Sequence, residues 1–286
     1  MSSGYDSPRS DVSFGRIGFG GAAIGISDYM GHYDAGAEAT RETSRLALVE
    51  ANRLGITYID TAPGYGAGLS ETIIGEVLER LPNPYFLATK VPLGARHAVR
   101  RSLEESLGRL GVDRLDLLQI HGGSIKDTDA DDILAPGGML AQMQALRDEG
   151  LIKEIGFTSE DNNAAVYRLI ETGAFDSLQI AYNLILQHPY EPTRPFGSLY
   201  AAKEKGMRVV TMRTATSGIF QRWIQMVNPA NTFDYNEALV QFVLSNRLVD
   251  VALVGIRTAE VARSCARLMN DPSGRIDVDA LWNRFV

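Results

Sequence analysis

Asp60, Tyr65, Lys90 and His121 are the residues of this 286-residue chain whose types and spacing could move a proton. Three of them end short apolar runs. Thr57-Tyr58-Ile59 leads to Asp60, Phe86-Leu87-Ala88-Thr89 to Lys90, and Leu115 through Ile120 (LDLLQI) to His121. The fourth lies in a tight glycine-rich stretch, Pro63-Gly64-Tyr65-Gly66, between the first two runs. If the runs are neighbouring parallel strands, their C-terminal ends meet at one rim and the four side chains share a pocket. A phenol with a pKa near ~10 is a poor acid at neutral pH. An adjacent ammonium stabilises the phenolate and is expected to lower that value. A carboxylate fixes the ammonium, and an imidazole can orient a carbonyl oxygen. Such a set protonates an oxygen while hydride reaches the carbon. Singly, each residue has a plainer explanation as a loop cap, a solvated lysine, a surface aromatic or a core histidine. Together they form a coherent acid–base group.

These residues need elements to position them. Eight short apolar runs recur: 17–19, 57–59, 86–89, 116–120, 154–157, 177–181, 207–212 and 250–254. Helical patterns lie between them. Thr43 to Leu54 puts Leu46, Leu48, Val49 and Ala51 on one broad side. Residues 98–110, 140–149, 163–172, 198–205, 236–246 and 259–269 show similar spacing, and Gly55, Gly111, Gly150, Gly173 and Gly206 mark helix ends. Strands alternating with helices at roughly 30-residue steps imply a parallel sheet. Eight such units predict an α/β fold, a single (β/α)8 TIM barrel over residues 15–286. Residues 1–14 read as a disordered polar tail. The stretch from Thr214 to Tyr235 has no clear periodicity and reads as a long lid or binding loop.

Composition excludes several other classes. The chain is 45% hydrophobic and 22% charged, with a net charge of -7. That balance argues against a nucleic-acid surface. No run approaches the ~20 apolar residues that span a bilayer, and the N-terminal residues lack the core of a signal peptide. A cytoplasmic protein is expected. A single cysteine, Cys265, cannot form an internal disulfide, and none of the four histidines pairs with another at metal-ligand spacing, so no metal is expected. The glycines at Gly18-Phe19-Gly20-Gly21 lack the third glycine of a dinucleotide fingerprint. Neither a phosphate-binding Gly-Lys-Ser/Thr loop nor a G-x-S-x-G elbow occurs.

The chain resembles the aldo-keto reductase family. The likeness rests on residues 55–66 (GITYIDTAPGYG), Ala88-Thr89-Lys90 and residues 102–121 (SLEESLGRLGVDRLDLLQIH). It extends over 150–159 (GLIKEIGFTS), 179–183 (QIAYN) and the segments at 244–246 and 254–257. The resemblance implies a (β/α)8 barrel that interconverts a carbonyl and its alcohol with NAD(P)H. It implies a catalytic set of Asp60, Tyr65, Lys90 and His121, with Tyr65 as the acid, tuned by Lys90 and Asp60. Ser159 or its neighbour Thr158, with Gln179, would hold the nicotinamide carboxamide. Met212 stands where the family packs a residue on the ring, and Arg213 follows it. Thr214-Ala215 replaces the usual proline-leucine. Ser217 and Gly218 would face the pyrophosphate through backbone N–H groups. Gly21, Gly255 and Asp60 complete the expected cofactor surface. Arg257, just past the eighth strand, would reach an adenosine 2′-phosphate, which favours NADP(H) over NAD(H).

Tyr29, Met30 and Tyr33 in the loop after the first strand, with Trp223, are expected to wall the substrate pocket. The substrate would be an aldehyde, ketone or sugar, and the oligomeric state is left open. Two other functions fit the scaffold: a nicotinamide-binding regulatory subunit without turnover, and a non-redox lyase or isomerase reusing Tyr65.

Overall fold

The computed structural model describes residues 14–29, 31–194 and 196–283. Its eight strands close into one barrel in sequence order, each parallel to the next, with the first and last paired. The first half runs β1 (Ile17–Gly20), a single-turn α1 (Ala22–Gly25), α2 (Glu38–Arg53), β2 (Tyr58–Asp60), α3 (Leu69–Gly75), β3 (Phe86–Pro92), α4 (Val99–Leu110) and β4 (Leu115–His121). Then come α5 (Asp127–Leu134), α6 (Met139–Asp148), β5 (Ile152–Ser159), α7 (Ala164–Glu171) and β6 (Ser177–Ala181). The last part is α8 (Ser198–Glu204), β7 (Arg208–Met212), α9 (Ile219–Val227), α10 (Asn236–Ser245), β8 (Val251–Val254), α11 (Ala259–Asn270) and α12 (Val278–Asn283).

All eight strands expected from the sequence form, as do the seven expected helices. Alternation along each strand sorts the side chains into two cores. Ile59, Leu87, Leu118 and Ile120 face outward to the helices. Tyr58, Phe86, Ala88, Leu117, Val210, Val251 and Leu253 face inward and fill the barrel floor. The Tyr58 and Phe86 rings stack at 5.0 Å, and Phe14 meets Tyr58 edge-on at 5.3 Å. Phe14 was the last residue of the expected tail. It is apolar, and the open end of the barrel offers it two aromatic faces, so it plugs the floor. Residues 1–13 lie outside the described residues.

Two further expectations change. Leu46 points outward and is exposed, while α2 buries Ala47, Leu48 and Ala51. The stretch 214–235 is not irregular throughout, because α9 occupies 219–227. No residue of α9 is buried, so burial against the barrel does not define its apolar face. Among the described residues, no helix is long and apolar enough to cross a membrane.

The aromatic floor yields a stability test. Phe86→Ala removes a ring packed against Tyr58, Phe14 and the Arg208 guanidinium. Large-to-small changes of this kind typically cost ~3–5 kcal/mol. Urea unfolding should show a loss of about that size; a loss under ~1 kcal/mol would mean the floor is not a packed layer.

Candidate active site

The inward positions above the aromatic floor are polar. Lys90 is 1% exposed and Asp60 2%. The Lys90 ammonium donates to both Asp60 carboxylate oxygens, at 2.8 and 2.7 Å, and to the Thr61 carbonyl at 2.7 Å. A buried charge is tolerated only when paired and hydrogen-bonded, and this one has three acceptors. Burial opposes the ammonium, but Asp60 and Tyr65 outweigh it and hold Lys90 above its usual pKa. Burial also pushes the Asp60 carboxyl up, against the pull of Lys90. Gln119, inward on β4 and not singled out in the sequence, extends the network. Its Nε2 donates to Asp60 Oδ1 and to Gln179 Oε1, both at 3.1 Å. The period-two alternation that places Leu117 and His121 inward also places Gln119 there, so the signal was available.

Tyr65 is carried by the turn between β2 and α3. Its N–H donates to the Ala62 carbonyl, and its own carbonyl accepts from Ser70. Gly66 makes the turn possible. Its φ is +66°, and a Cβ there would lie 2.0 Å from the Gly25 carbonyl oxygen. No side chain can occupy that space. The turn brings the Tyr65 ring to 4.9 Å from Lys90 Nζ, measured to the ring centre. The His121 ring stands edge-on to it at 5.6 Å. Asp60, Tyr65, Lys90 and His121 thus gather at one end of the barrel.

The tuning differs from expectation. Burial raises the Tyr65 phenol above its ordinary value, and Lys90 offsets only part of that rise. Desolvation of the phenolate outweighs the nearby cation. His121 is lowered to about 4, chiefly by burial and then by the Lys90 charge, so its ring is neutral at neutral pH.

A cavity of about 350 Å³ opens over this group. Asp60, Tyr65 and His121 line it, together with Tyr29, Gln179, Met212, Arg213, Ser217 and Gly255 from the expected set. Several expected residues do not line it. Ser159 and Thr158 are buried; Thr158 Oγ1 donates to the Gly122 carbonyl, and Ser159 Oγ accepts from the Asp161 N–H. Glu160, a residue no sequence motif marks, faces the cavity instead, and its carboxylate pairs with Arg213. Gly21 lies behind the wall, its N–H donating to the Asp60 carbonyl. Gly218 is the residue before α9, with its N–H spent on the Ala215 carbonyl. Tyr33 turns away, its hydroxyl 2.9 Å from Ser44 Oγ and its ring beneath the Arg257 guanidinium at 3.8 Å. Arg257 stands outside the lining, with Nε donating to the Ala23 carbonyl at 2.7 Å. Trp223 is 53% exposed on α9 and does not reach the cavity. Met30 lies outside the described residues. No cluster of three or more metal-ligating side chains occurs among the described residues.

A model of the aldo/keto reductase family matches residues 16–270. The chain belongs to the aldo/keto reductase family. Among curated relatives of this family member, the NADH-specific methylglyoxal reductase of Escherichia coli (strain K12) is 28% identical over 198 residues, covering 62% of this chain and 57% of that protein. The D-threo-aldose 1-dehydrogenase of a Pseudomonas species is 28% identical over 233 residues, covering 70% and 67%. The chain therefore spans little more than half of the methylglyoxal reductase it matches. The fold is that of an aldo/keto reductase from Klebsiella pneumoniae solved with NADP and acetate, at TM-score 0.69, 22% identity and coverage of 94% and 90%. It is also that of a glycerol dehydrogenase from Gluconobacter oxydans, at TM-score 0.73, 21% identity and coverage of 96% and 91%.

The low His121 value has two consequences. NMR of the ring should show no titration between pH 5 and 8 and a midpoint near 4. Because the folded-state pKa lies below the unfolded one, near ~6.5, His121 contributes stability above that value, which is lost as pH falls toward 4. A midpoint near 6.5 would show an exposed ring.

Proposed function

We propose that this aldo/keto reductase family member reduces the carbonyl of a small aldehyde, ketone or sugar, and reverses that reaction, with NADP(H) favoured over NAD(H). The observation that carries the reading is the buried Lys90–Asp60 pair facing Tyr65, with a neutral His121 edge-on to the same ring. A sensor or a structural subunit has no need of a buried cation aimed at a phenol.

The cavity suits a nicotinamide dinucleotide. Its volume falls in the range of small-molecule sites. The backbone at its edge is bare at Gly20, where a Cβ would meet the Val254 carbonyl at 3.2 Å, and at Gly255. Gln179 lines the cavity with its oxygen taken by Gln119 and its Nε2 directed at Met212 Sδ, a weak acceptor at 3.8 Å. Arg257 Nη2 is buried and without a hydrogen-bond partner, which fits a missing anion.

The cofactor supplies the hydride when bound. Tyr65 gives its hydroxyl proton to the substrate oxygen during reduction and takes it back during oxidation. Its raised pKa keeps it protonated through neutral and mildly alkaline pH, so reduction falls only as pH rises toward that value. Lys90 stabilises the phenolate left behind, and Asp60 and Thr61 hold Lys90 in place. A neutral His121 carries one ring N–H that can point the carbonyl oxygen at Tyr65.

Tyr65→Phe should lower turnover by at least the ~10²-fold expected for loss of a general acid, while NADPH titration shows nearly unchanged affinity. Normal turnover would remove Tyr65 from the chemistry.

Arg257→Ala tests the cofactor preference. A charge-assisted contact is typically worth ~1.5–3 kcal/mol, about 10- to 150-fold in affinity. Fluorescence titrations should show NADPH weakened by that factor and NADH nearly untouched. Equal weakening of both would assign Arg257 to the shared part of the dinucleotide.

A further inference from the structure

Arg213 is the one cation among the described residues that line the cavity. Lys90 lies below it, neutralised by Asp60. The Arg213 charge is cancelled as well, because its Nη2 lies 2.5 Å from Glu160 Oε1. Glu160 follows β5 and Arg213 follows β7, so the pair bridges over the end of β6 beside Gln179.

The placement of both partners is built into the backbone. Arg213 adopts a left-handed φ of +58°, a conformation that typically costs a non-glycine residue ~1 kcal/mol or more. The buried Asn183 holds it there, donating through Nδ2 to the Arg213 carbonyl at 2.9 Å, and the Thr216 N–H donates to the same oxygen. On the other side, the Glu160 N–H donates to the Gly123 carbonyl, and the Glu160 carbonyl meets His188 Nε2. The side chains remain about one-third exposed, at 34% for Arg213 and 42% for Glu160, so they can separate without unfolding the site.

We infer that Glu160 is an electrostatic latch that sets cofactor affinity: it occupies Arg213 in the free protein and must yield it to the diphosphate of an incoming dinucleotide. The inference rests on the reading of the cavity as a dinucleotide site. An anion entering this cavity meets a cation that already has a counter-ion, so part of its binding energy goes into displacing Glu160. The same competition speeds release, since Glu160 is positioned to recapture Arg213.

The latch makes an unusual demand, namely that removing a charged group from the site should tighten binding. Glu160→Gln keeps size and hydrogen bonding while removing the competing charge. NADPH, titrated by its fluorescence, should bind this variant about three- to tenfold more tightly than wild type, a span between an exposed ion pair and a desolvated one. Stopped-flow dissociation should slow by a similar factor. Arg213→Gln should weaken NADPH, and in that background Glu160→Gln should gain less than about twofold. Unchanged or weaker binding by Glu160→Gln in the wild-type background would overturn the latch, because Glu160 would then be idle or a ligand contact itself. Inorganic pyrophosphate followed by calorimetry separates this from the cofactor reading. If pyrophosphate tightens on Glu160→Gln although NADPH fails to bind, the latch stands and the dinucleotide assignment falls. If pyrophosphate is indifferent to the substitution, the latch falls.

Discussion

An ammonium sealed inside the barrel is the constraint around which the polar half of this structure is arranged. Lys90 cannot be left unpaired there, since removing a partner from a buried ion pair typically costs ~3–5 kcal/mol. Asp60 answers it with both oxygens and Thr61 with a carbonyl. Asp60 in turn needs support, which arrives from Gln119 on β4, and Gln119 fixes the oxygen of Gln179 on β6. One buried charge on β3 thus orients side chains from three other strands. The price of that order is a site that cannot relax, which is what an acid–base group needs if its geometry is to be ready before a substrate arrives.

The same network links packing to chemistry. Below it, Tyr58, Phe86 and Phe14 fill the floor, with the Arg208 guanidinium against the Phe14 and Phe86 rings; the Tyr58 hydroxyl is buried without a hydrogen bond. Above it, the Tyr65 turn leans on Gly25 so closely that only glycine fits at position 66. The phenol is consequently desolvated, and its pKa rises even with a cation nearby. Lys90 therefore limits a rise caused by burial. Burial thus keeps the phenol protonated at neutral pH and leaves His121 neutral as well.

The rim follows different rules from the barrel. Its residues sit on loops, and small changes of backbone direction decide which side chain meets the cavity. Ser159 ends β5 and turns its hydroxyl to the Asp161 N–H, so its neighbour Glu160 takes the exposed place. Tyr33 binds Ser44 and becomes a platform for Arg257 rather than a pocket wall. Arg213 is held in a left-handed conformation by Asn183. None of these outcomes follows from residue type.

The sequence by itself determined the barrel and the four residues gathered at one end of it. Strand periodicity, helix spacing and glycine helix ends are local signals, and a parallel barrel places every strand end at one rim. Asp60 and His121 end their strands; β3 runs two residues past the expected end at Lys90, to Pro92, but Lys90 still points inward at the same level, so the fold brings the three together. Tyr65 follows because its turn is short and glycine-bound. Gln119 was equally legible from alternation. Only the tertiary structure decided the sign of the Tyr65 shift, because desolvation depends on what encloses the ring. Only it decided that Phe14 closes the floor, that Glu160 and not Ser159 faces the cavity, and that Arg257 rests on Tyr33. Most of those choices are made by contacts between residues far apart in the chain, and the Ser159 choice by a local hydrogen bond to the Asp161 N–H that no strand period announces.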